Sequence, residues 1–466
     1  MTYRSSLSAL RAVVLLMMAA YLSGCGLLQR ETRIEGEVTA DVDSVAREVA
    51  LDHYLSGSVS EEAGELPQAA VQYQIALMFD PQSLEISVSL ADVYMRLGYR
   101  EAAVRVLEKV RENSPDNEEL LTKLTELYLQ EGLLLKAADC LEALAEARPL
   151  DETELTRLAG ILTGLQRFDE ALKLYGEYIE RFGPNPEVYG RIGRIHLLRR
   201  DIEAADTTFR RLVELDSTEH KVFFVLGGFA VSREDWGQAE RYFRQALTLD
   251  STQILYWSNL LLALNQQHKN EQALKVVDEA IDRFPEQPQL YDIRGSILQM
   301  LKRFDEALKA VEQSIAIDST RLSPYLTKGF IHHTLDEWDA GAQAYERALA
   351  IEPDNPVVLN NYAYMLSEQN QRLEDALQMV ERALAGQPDS PSFMDTKGWI
   401  LYRLGRYKEA LALVERAMKG ETENAELYEH MGYIYQAMGK TSKARTAWRR
   451  AAELDPENEE YARLAR

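Results

Sequence analysis

A period of 34 residues runs through most of this 466-residue chain and sets the strongest limit on its fold. Units aligned on that period begin at residues 50, 84, 118, 152, 186, 220, 254, 288, 322, 356, 391 and 425, and only the tenth is one residue longer. Twelve units therefore fill residues 50–458 without a linker between them. Because a unit this short cannot bury its apolar face alone, the units must stack on one another to form a core.

Three columns of the aligned units indicate that each unit is a pair of packed helices. The eighth position is Gly or Ala in ten of the twelve units, which suits a helix backbone that closely approaches its neighbour. The twentieth is Ala in eleven units, and the thirty-second is Pro in seven, which ends the second helix. Apolar residues recur between them at helical spacing, as in Tyr345, Ala348 and Leu349, so the chain is predicted to be all-α.

The pattern resembles the tetratricopeptide repeat (TPR), which has small residues at positions 8 and 20, large or aromatic ones at 4, 11 and 24, and Pro at 32. The resemblance covers residues 50–458. It implies an α-solenoid, a right-handed superhelix of about twelve helical hairpins. Residues 459–466 are expected to form a partial cap, which leaves the last apolar face open to a second copy or to a partner.

In TPR proteins the first helix of each hairpin lines a concave groove, through positions 2, 5, 9, 12 and 13. Carried onto the last three units, these positions give Asn360, Tyr364, Asp395, Trp399, Tyr402, Arg403, Glu429, Tyr433 and Gln436. Aromatic rings that alternate with amides and charges suit a protein or peptide partner, because rings supply contact area and polar groups fix the register. The alternative is that Tyr364 and Trp399 serve packing between hairpins instead.

The N-terminal segment has the pattern of a bacterial export signal. Arg4 and Arg11 precede an apolar run over residues 12–22, which is too short for a comfortable membrane span. The run leads into Leu-Ser-Gly-Cys, ending at Cys25, which resembles the lipobox of bacterial lipoproteins. An ordinary signal peptide or a short N-terminal anchor would be the alternatives.

The lipobox resemblance implies an order of processing and attachment. Residues 1–24 would be a lipoprotein signal peptide, Cys25 would carry the lipid, and residues 25–49 would be a polar tether. Part of residues 26–49 could instead add a helical turn to the first repeat. Gly26 in place of Asp favours the periplasmic face of the outer membrane under the enterobacterial sorting rule.

Composition argues against several functional classes. The net charge of −23 opposes nucleic-acid binding, which needs clustered cations. Two cysteines and seven histidines leave little material for a disulfide framework or a metal site, and no catalytic motif or cofactor loop is found. The repeats leave eight residues after residue 458, so the chain has no room for a catalytic domain and is predicted not to be an enzyme.

Three isolated features have structural interpretations. Cys140 is expected to be a small buried side chain, and His332 a core histidine, while the adjacent His333 points away at an angle of about 100°. A basic island could contact an acidic partner or anionic lipid; it consists of Arg191, Arg194, Arg199, Arg200, Arg210 and Arg211.

These observations predict a non-enzymatic, lipid-anchored TPR adaptor of the bacterial cell envelope. Its partners would be proteins of a secretion, pilus, polysaccharide-export or cell-wall system, held in the groove without a cofactor. The alternative is a periplasmic chaperone that binds many unfolded clients along the superhelix.

Overall fold

The computed structural model of the chain describes residues 35–420 and 423–466, with side chains from residue 44 onward. Cys25 and the predicted signal segment lie outside the described residues. The described part contains 25 α-helices and no strand. They are α1 (Glu35–Glu62), α2 (Leu66–Phe79), α3 (Leu84–Arg96), α4 (Arg100–Arg111), α5 (Glu118–Gln130), α6 (Leu134–Ala147), α7 (Glu152–Gly164), α8 (Phe168–Phe182), α9 (Pro186–Leu198), α10 (Ile202–Leu215), α11 (His220–Ser232), α12 (Trp236–Leu249), α13 (Ile254–Gln266), α14 (Asn270–Arg283), α15 (Pro288–Met300), α16 (Phe304–Ile317), α17 (Ser323–Thr334), α18 (Trp338–Ile351), α19 (Pro356–Glu368), α20 (Leu373–Gly386), α21 (Pro391–Arg403), α22 (Tyr407–Ala417), α23 (Ala425–Ala437), α24 (Thr441–Leu454) and α25 (Glu459–Leu464).

Small residues allow the two helices of a pair to pack closely. Ala69 and Ala307, at the twentieth position of their units, are completely buried. A Cβ atom added to Gly329 would lie 2.6 Å from the Tyr345 ring, so that position has no room for a side chain. The all-α stack of helix pairs predicted from the period is therefore confirmed in the described residues.

The first helix is longer than the sequence predicts. Residues 25–49 are predicted to be a tether, but α1 already begins at Glu35 and continues to Glu62. The segment between Gly36 and Gly57 contains neither Gly nor Pro, and extending a formed helix costs little compared with starting one. None of the described helices is both long enough and apolar enough to cross a lipid bilayer.

The turn inside each helix pair has one backbone geometry that the sequence does not reveal. One residue in each of the twelve turns has a positive φ, and five of these residues are Gly. The other seven are Gln166, Arg200, Glu234, His268, Lys302, Asp336 and Asn370. The left-handed conformation lets the backbone satisfy the last carbonyls of the helix, as where the Tyr99 N–H donates to the Tyr94 carbonyl at 2.8 Å. The extra residue of the tenth unit lies in such a turn, where Arg372 also has a positive φ of 46°.

The non-glycine turns are expected to cost stability. Replacing Gln166, whose φ is 60°, by Gly should raise the free energy of unfolding by about 1 kcal/mol, because glycine adopts this conformation without steric penalty. Urea denaturation of the full chain would measure the change. Gln166→Ala is the matched control, since it keeps the Cβ atom and should give no gain. An equal gain in both variants would show that the backbone conformation is not the cause.

The chain divides into two compact units, which meet in sequence at Arg199 and Arg200. The predicted groove residues all belong to the second unit.

Candidate partner-binding site

The predicted groove residues lie on the first helices of the last three pairs, α19, α21 and α23. These helices pack in sequence, with α19 against α21 and α21 against α23. Aromatic rings and carboxylates from all three meet around one buried histidine, His430 on α23, which the groove positions did not include. We call this group of side chains the His430 cluster; it comprises Tyr364, Glu368, Asp395, Trp399, Tyr402, Arg403, Glu426, His430 and Tyr433.

His430 forms the polar centre of the cluster. It is 3% exposed, and its Nδ1 atom lies 2.9 and 3.0 Å from the two carboxylate oxygens of Asp395, which is itself buried. Burial disfavours a charged imidazole, but the Asp395 carboxylate outweighs that effect and raises the pKa of His430 to about 9. The two residues therefore form a buried ion pair at neutral pH, in which the imidazolium donates to the carboxylate.

Trp399 is the aromatic centre. Its ring stacks on His430 at 4.2 Å between centroids and on Tyr402 at 4.8 Å, with interplanar angles of 16° and 18°. Its indole N–H donates to Glu368 at 2.6 Å, and the Arg403 guanidinium lies 4.9 Å from the ring centroid. The π-faces of Trp399 thus adjoin two cationic groups, an arrangement that stabilises the charged form of each.

Tyr364 connects the cluster to the preceding helix pair. Its hydroxyl donates to Glu426 at 2.6 Å, and its ring meets the edge of His333 at 5.8 Å. Burial, together with the charges of Glu426 and Glu368, holds the pKa of Tyr364 far above its ordinary value. The phenol is therefore always a donor, and the surroundings of its oxygen are strongly negative.

Another carboxylate, that of Glu429, lies at the far side of the cluster, next to α25. Glu429 is half-buried, and burial raises the pKa of its carboxyl even though His430 and a hydrogen bond from Tyr461 oppose the shift. Tyr461, on α25, is 7% exposed. The predicted cap at residues 459–466 thus contacts the candidate site directly.

A pocket of about 240 Å³ opens beside the cluster. It is lined by Phe330, His333, Tyr345, Asn360, Asn361, Tyr364, Ser392, Asp395, Thr396 and Glu426. Its lining includes the rings of Phe330, Tyr345 and Tyr364 and the carboxylates of Asp395 and Glu426, so it combines apolar contact with negative charge.

Family models match long parts of the chain. One described as tetratricopeptide repeat matches residues 88–152, 158–220 and 259–324, and another with the same description matches residues 344–378. The model of the N-terminal TPR region of psidin matches residues 362–464, which include the His430 cluster. The chain is a tetratricopeptide repeat protein. TPR proteins are generally scaffolds that bind proteins or peptides rather than enzymes.

Solved structures similar to this TPR chain share little of its sequence. The Cut9–Hcn1 hetero-tetramer of the APC/C is 12% identical over 92% of this chain and 97% of that one, with a TM-score of 0.47. A TPR protein from Parabacteroides merdae is 15% identical over 53% and 97%, with a TM-score of 0.45. Yeast Tom70 is 17% identical over 90% and 94%, with a TM-score of 0.38. No curated protein matches the chain in sequence.

Most of the predicted groove residues lie close together in the structure, but not all of them face solvent. Asn360, Asp395 and Trp399 are 5%, 8% and 6% exposed, so they form the floor of the site and pack its helices. The packing alternative for Trp399 is therefore the one that its burial supports. Gln436 is exposed at the far end of α23, and Tyr402 and Tyr433 are half-buried at the surface.

Sequence reasoning missed four members of the site. His333, Glu368 and Glu426 occupy the inward positions 12, 13 and 2 of their units, so the groove rule could have found them. His430 is at position 6, which that rule does not include. The role of His430 becomes clear only in the structure, where its imidazole pairs with Asp395.

One trio in the cluster has the chemistry of metal ligands. Donor atoms of Asp395, Glu426 and His430 all lie within 4.8 Å of one another. The Nδ1 atom of His430 already pairs with Asp395, so a metal would have to displace that hydrogen bond.

The isolated cysteine and histidines have structural surroundings. Cys140 is completely buried as predicted, and burial raises the pKa of its thiol. The His332 side chain is only 12% exposed and lies 2.5 Å from Glu337, while His333 packs on Trp338.

Nearby carboxylates neutralise much of the predicted basic island. Arg191 pairs with Glu187 and Arg199 with Asp169, each at 2.6 Å. In the second unit Arg210 pairs with Asp206 at 3.1 Å. These pairs weaken the case for an anion-binding patch.

Proposed function

We propose that this TPR protein is a lipid-anchored scaffold of the bacterial cell envelope that holds a protein partner at the His430 cluster. The observation that carries the proposal is the pocket beside that cluster, where aromatic walls and convergent polar groups lie next to exposed groove positions. The sequence up to Cys25 supports the anchor, and Gly26 supports the periplasmic face of the outer membrane. A tether to the membrane would raise the local concentration of the scaffold near a membrane-bound partner.

Attachment to the membrane can be tested on its own. The full-length protein is expected to incorporate labelled palmitate and to fractionate with the membrane, while Cys25→Ser should lose both properties. The second cysteine provides the matched control, since Cys140→Ser removes a thiol that is buried in the repeats. If the Cys25→Ser protein fractionated with the membrane but carried no labelled palmitate, the anchor would be an uncleaved apolar segment.

Partner binding can be tested by photo-crosslinking from Gln436, which is exposed at the edge of the site. A crosslinking amino acid at this position in the full-length protein should capture one dominant envelope protein, identified by mass spectrometry. Glu374 on the outer helix α20 is also exposed, and a crosslinker there should not capture that protein. Crosslinking of many unrelated proteins from position 436 would favour a chaperone instead. Equal capture of one protein from positions 436 and 374 would contradict the proposed site.

A further inference from the structure

We infer that the pocket beside the His430 cluster receives a basic side chain, a lysine or an arginine, from the bound partner. This inference rests on the proposed function and names the chemistry of the partner that the site recognises. The evidence lies in three properties of the pocket: its unpartnered polar atoms, its charge and its aromatic walls.

Two buried polar atoms at the pocket lack partners. The Oδ1 atom of Asn360 and the hydroxyl of Tyr345 have no hydrogen-bond partner among the described residues. Asn360 is 5% exposed and Tyr345 is completely buried, yet both residues line the pocket. A buried polar group without a partner costs about 1–3 kcal/mol, so a ligand that supplies donors here is favoured.

The pocket also carries excess negative charge. Asp395 and Glu426 line it, and Glu368 lies close enough to raise the pKa of Tyr364 together with them. The positive groups that face this region are His430, which pairs with Asp395, and Arg403, which lies 3.7 Å from Glu368. Glu426 accepts a hydrogen bond from the neutral Tyr364, and its charge has no positive counterpart in these pairs. His333 adds none, because burial lowers its pKa.

The walls of the pocket suit the long apolar stem of a basic residue. Phe330 is 39% exposed at the pocket, and the Tyr364 and Tyr345 rings lie deeper. Lysine and arginine bury their methylene groups against such surfaces while the charged head binds carboxylates and aromatic faces. The volume of about 240 Å³ is far more than the ~15 Å³ that admits one water molecule.

Saturation-transfer NMR on the full-length protein can detect such weak binding. The probes are the pentapeptide acetyl-Ala-Ala-Lys-Ala-Ala-amide and its Arg and Gln analogues. We expect saturation of the Lys and Arg side-chain methylene protons but not of the Gln side chain. Glu426→Gln should reduce the affinity about tenfold, since it removes a charge-assisted contact. Asn360→Leu should also weaken binding, because it removes the acceptor at the floor.

Glu374→Gln is the matched control, because it removes the same charge from the exposed face of α20. It should leave binding within about twofold. Equal losses in Glu426→Gln and Glu374→Gln would mean that the peptides respond only to the acidity of the chain, and would overturn the inference. A titration with zinc chloride alone tests whether the site binds a metal ion instead. Zinc binding that is lost in His430→Gln, and that blocks binding of the lysine peptide, would identify a metal centre and overturn the inference. If no peptide binds while Gln436 still captures one envelope protein, this inference fails and the proposed function stands.

Discussion

Replacing Trp399 by alanine is expected to destabilise the last three helix pairs by about 3–5 kcal/mol. The side chain is 6% exposed, stacks on His430 and Tyr402, and donates its indole N–H to Glu368. The truncation would leave a cavity among these groups and remove the ring that adjoins the charged imidazole. Hydrogen exchange of α19, α21 and α23 in the full-length protein would measure the local loss.

A half-exposed tryptophan in the same compact unit, Trp236, provides the comparison. Trp236 begins α12, and Trp236→Ala should leave the exchange of the last three pairs unchanged, because repeat stability is a sum of nearest-neighbour terms. If Trp399→Ala left the exchange of α21 and α23 at the wild-type rate, the ring would not be part of their packing. The Trp399 ring would then be part of the solvent-facing surface of the groove.

The Asp395–His430 pair should make the stability of the second unit depend on pH. The pKa of His430 is about 9 in the folded state and about 6.5 when unfolded, so its contribution is fully present below pH 6.5. That contribution is lost as the pH rises through 9, and it amounts to about 3 kcal/mol. Urea denaturation between pH 6 and pH 9.5 would follow the loss.

Asp395→Asn isolates this contribution. The variant should be less stable than the wild-type protein at pH 6, and the difference should shrink as the pH rises towards 9.5. Asp389→Asn removes an exposed carboxylate from the same region, where Arg416 is its partner, and should show no such convergence. Parallel curves for the wild type and Asp395→Asn would mean that the folded protein does not hold a charged His430.

The helix pairs are predictable from the sequence because their determinants repeat. Position 8 leaves little space for a side chain, as at Gly329, and a small residue therefore recurs there in most units. The conformation of the turn residue could not be predicted in this way, because Gln166 and Glu234 have the same left-handed backbone as Gly98. Its conformation is imposed by the helix end rather than by the side chain, so no residue type marks it.

The candidate site is less predictable, because its contacts join different units. The groove positions placed Trp399 and Asp395 on one face of α21, but the contacts that bury them involve His430, which lies 35 residues beyond Asp395. The start of α1 at Glu35 was missed for a related reason. A polar composition suggested a tether there, whereas packing at Ala50 allows the helix to extend towards the N-terminus.

Within the second compact unit each helix packs on the helices next to it along the chain, and this packing has a mechanical consequence. If a partner pulls at the His430 cluster while the N-terminal end of this unit is held, the force passes through the helix pairs of the unit one after another. The main helix contacts of this unit reach no further than the adjacent pair, so its pairs would open one at a time under tension, and each 34-residue repeat would release up to about 110 Å of extended chain. The second compact unit would then behave as an extensible spring, which lengthens under load while the partner stays bound.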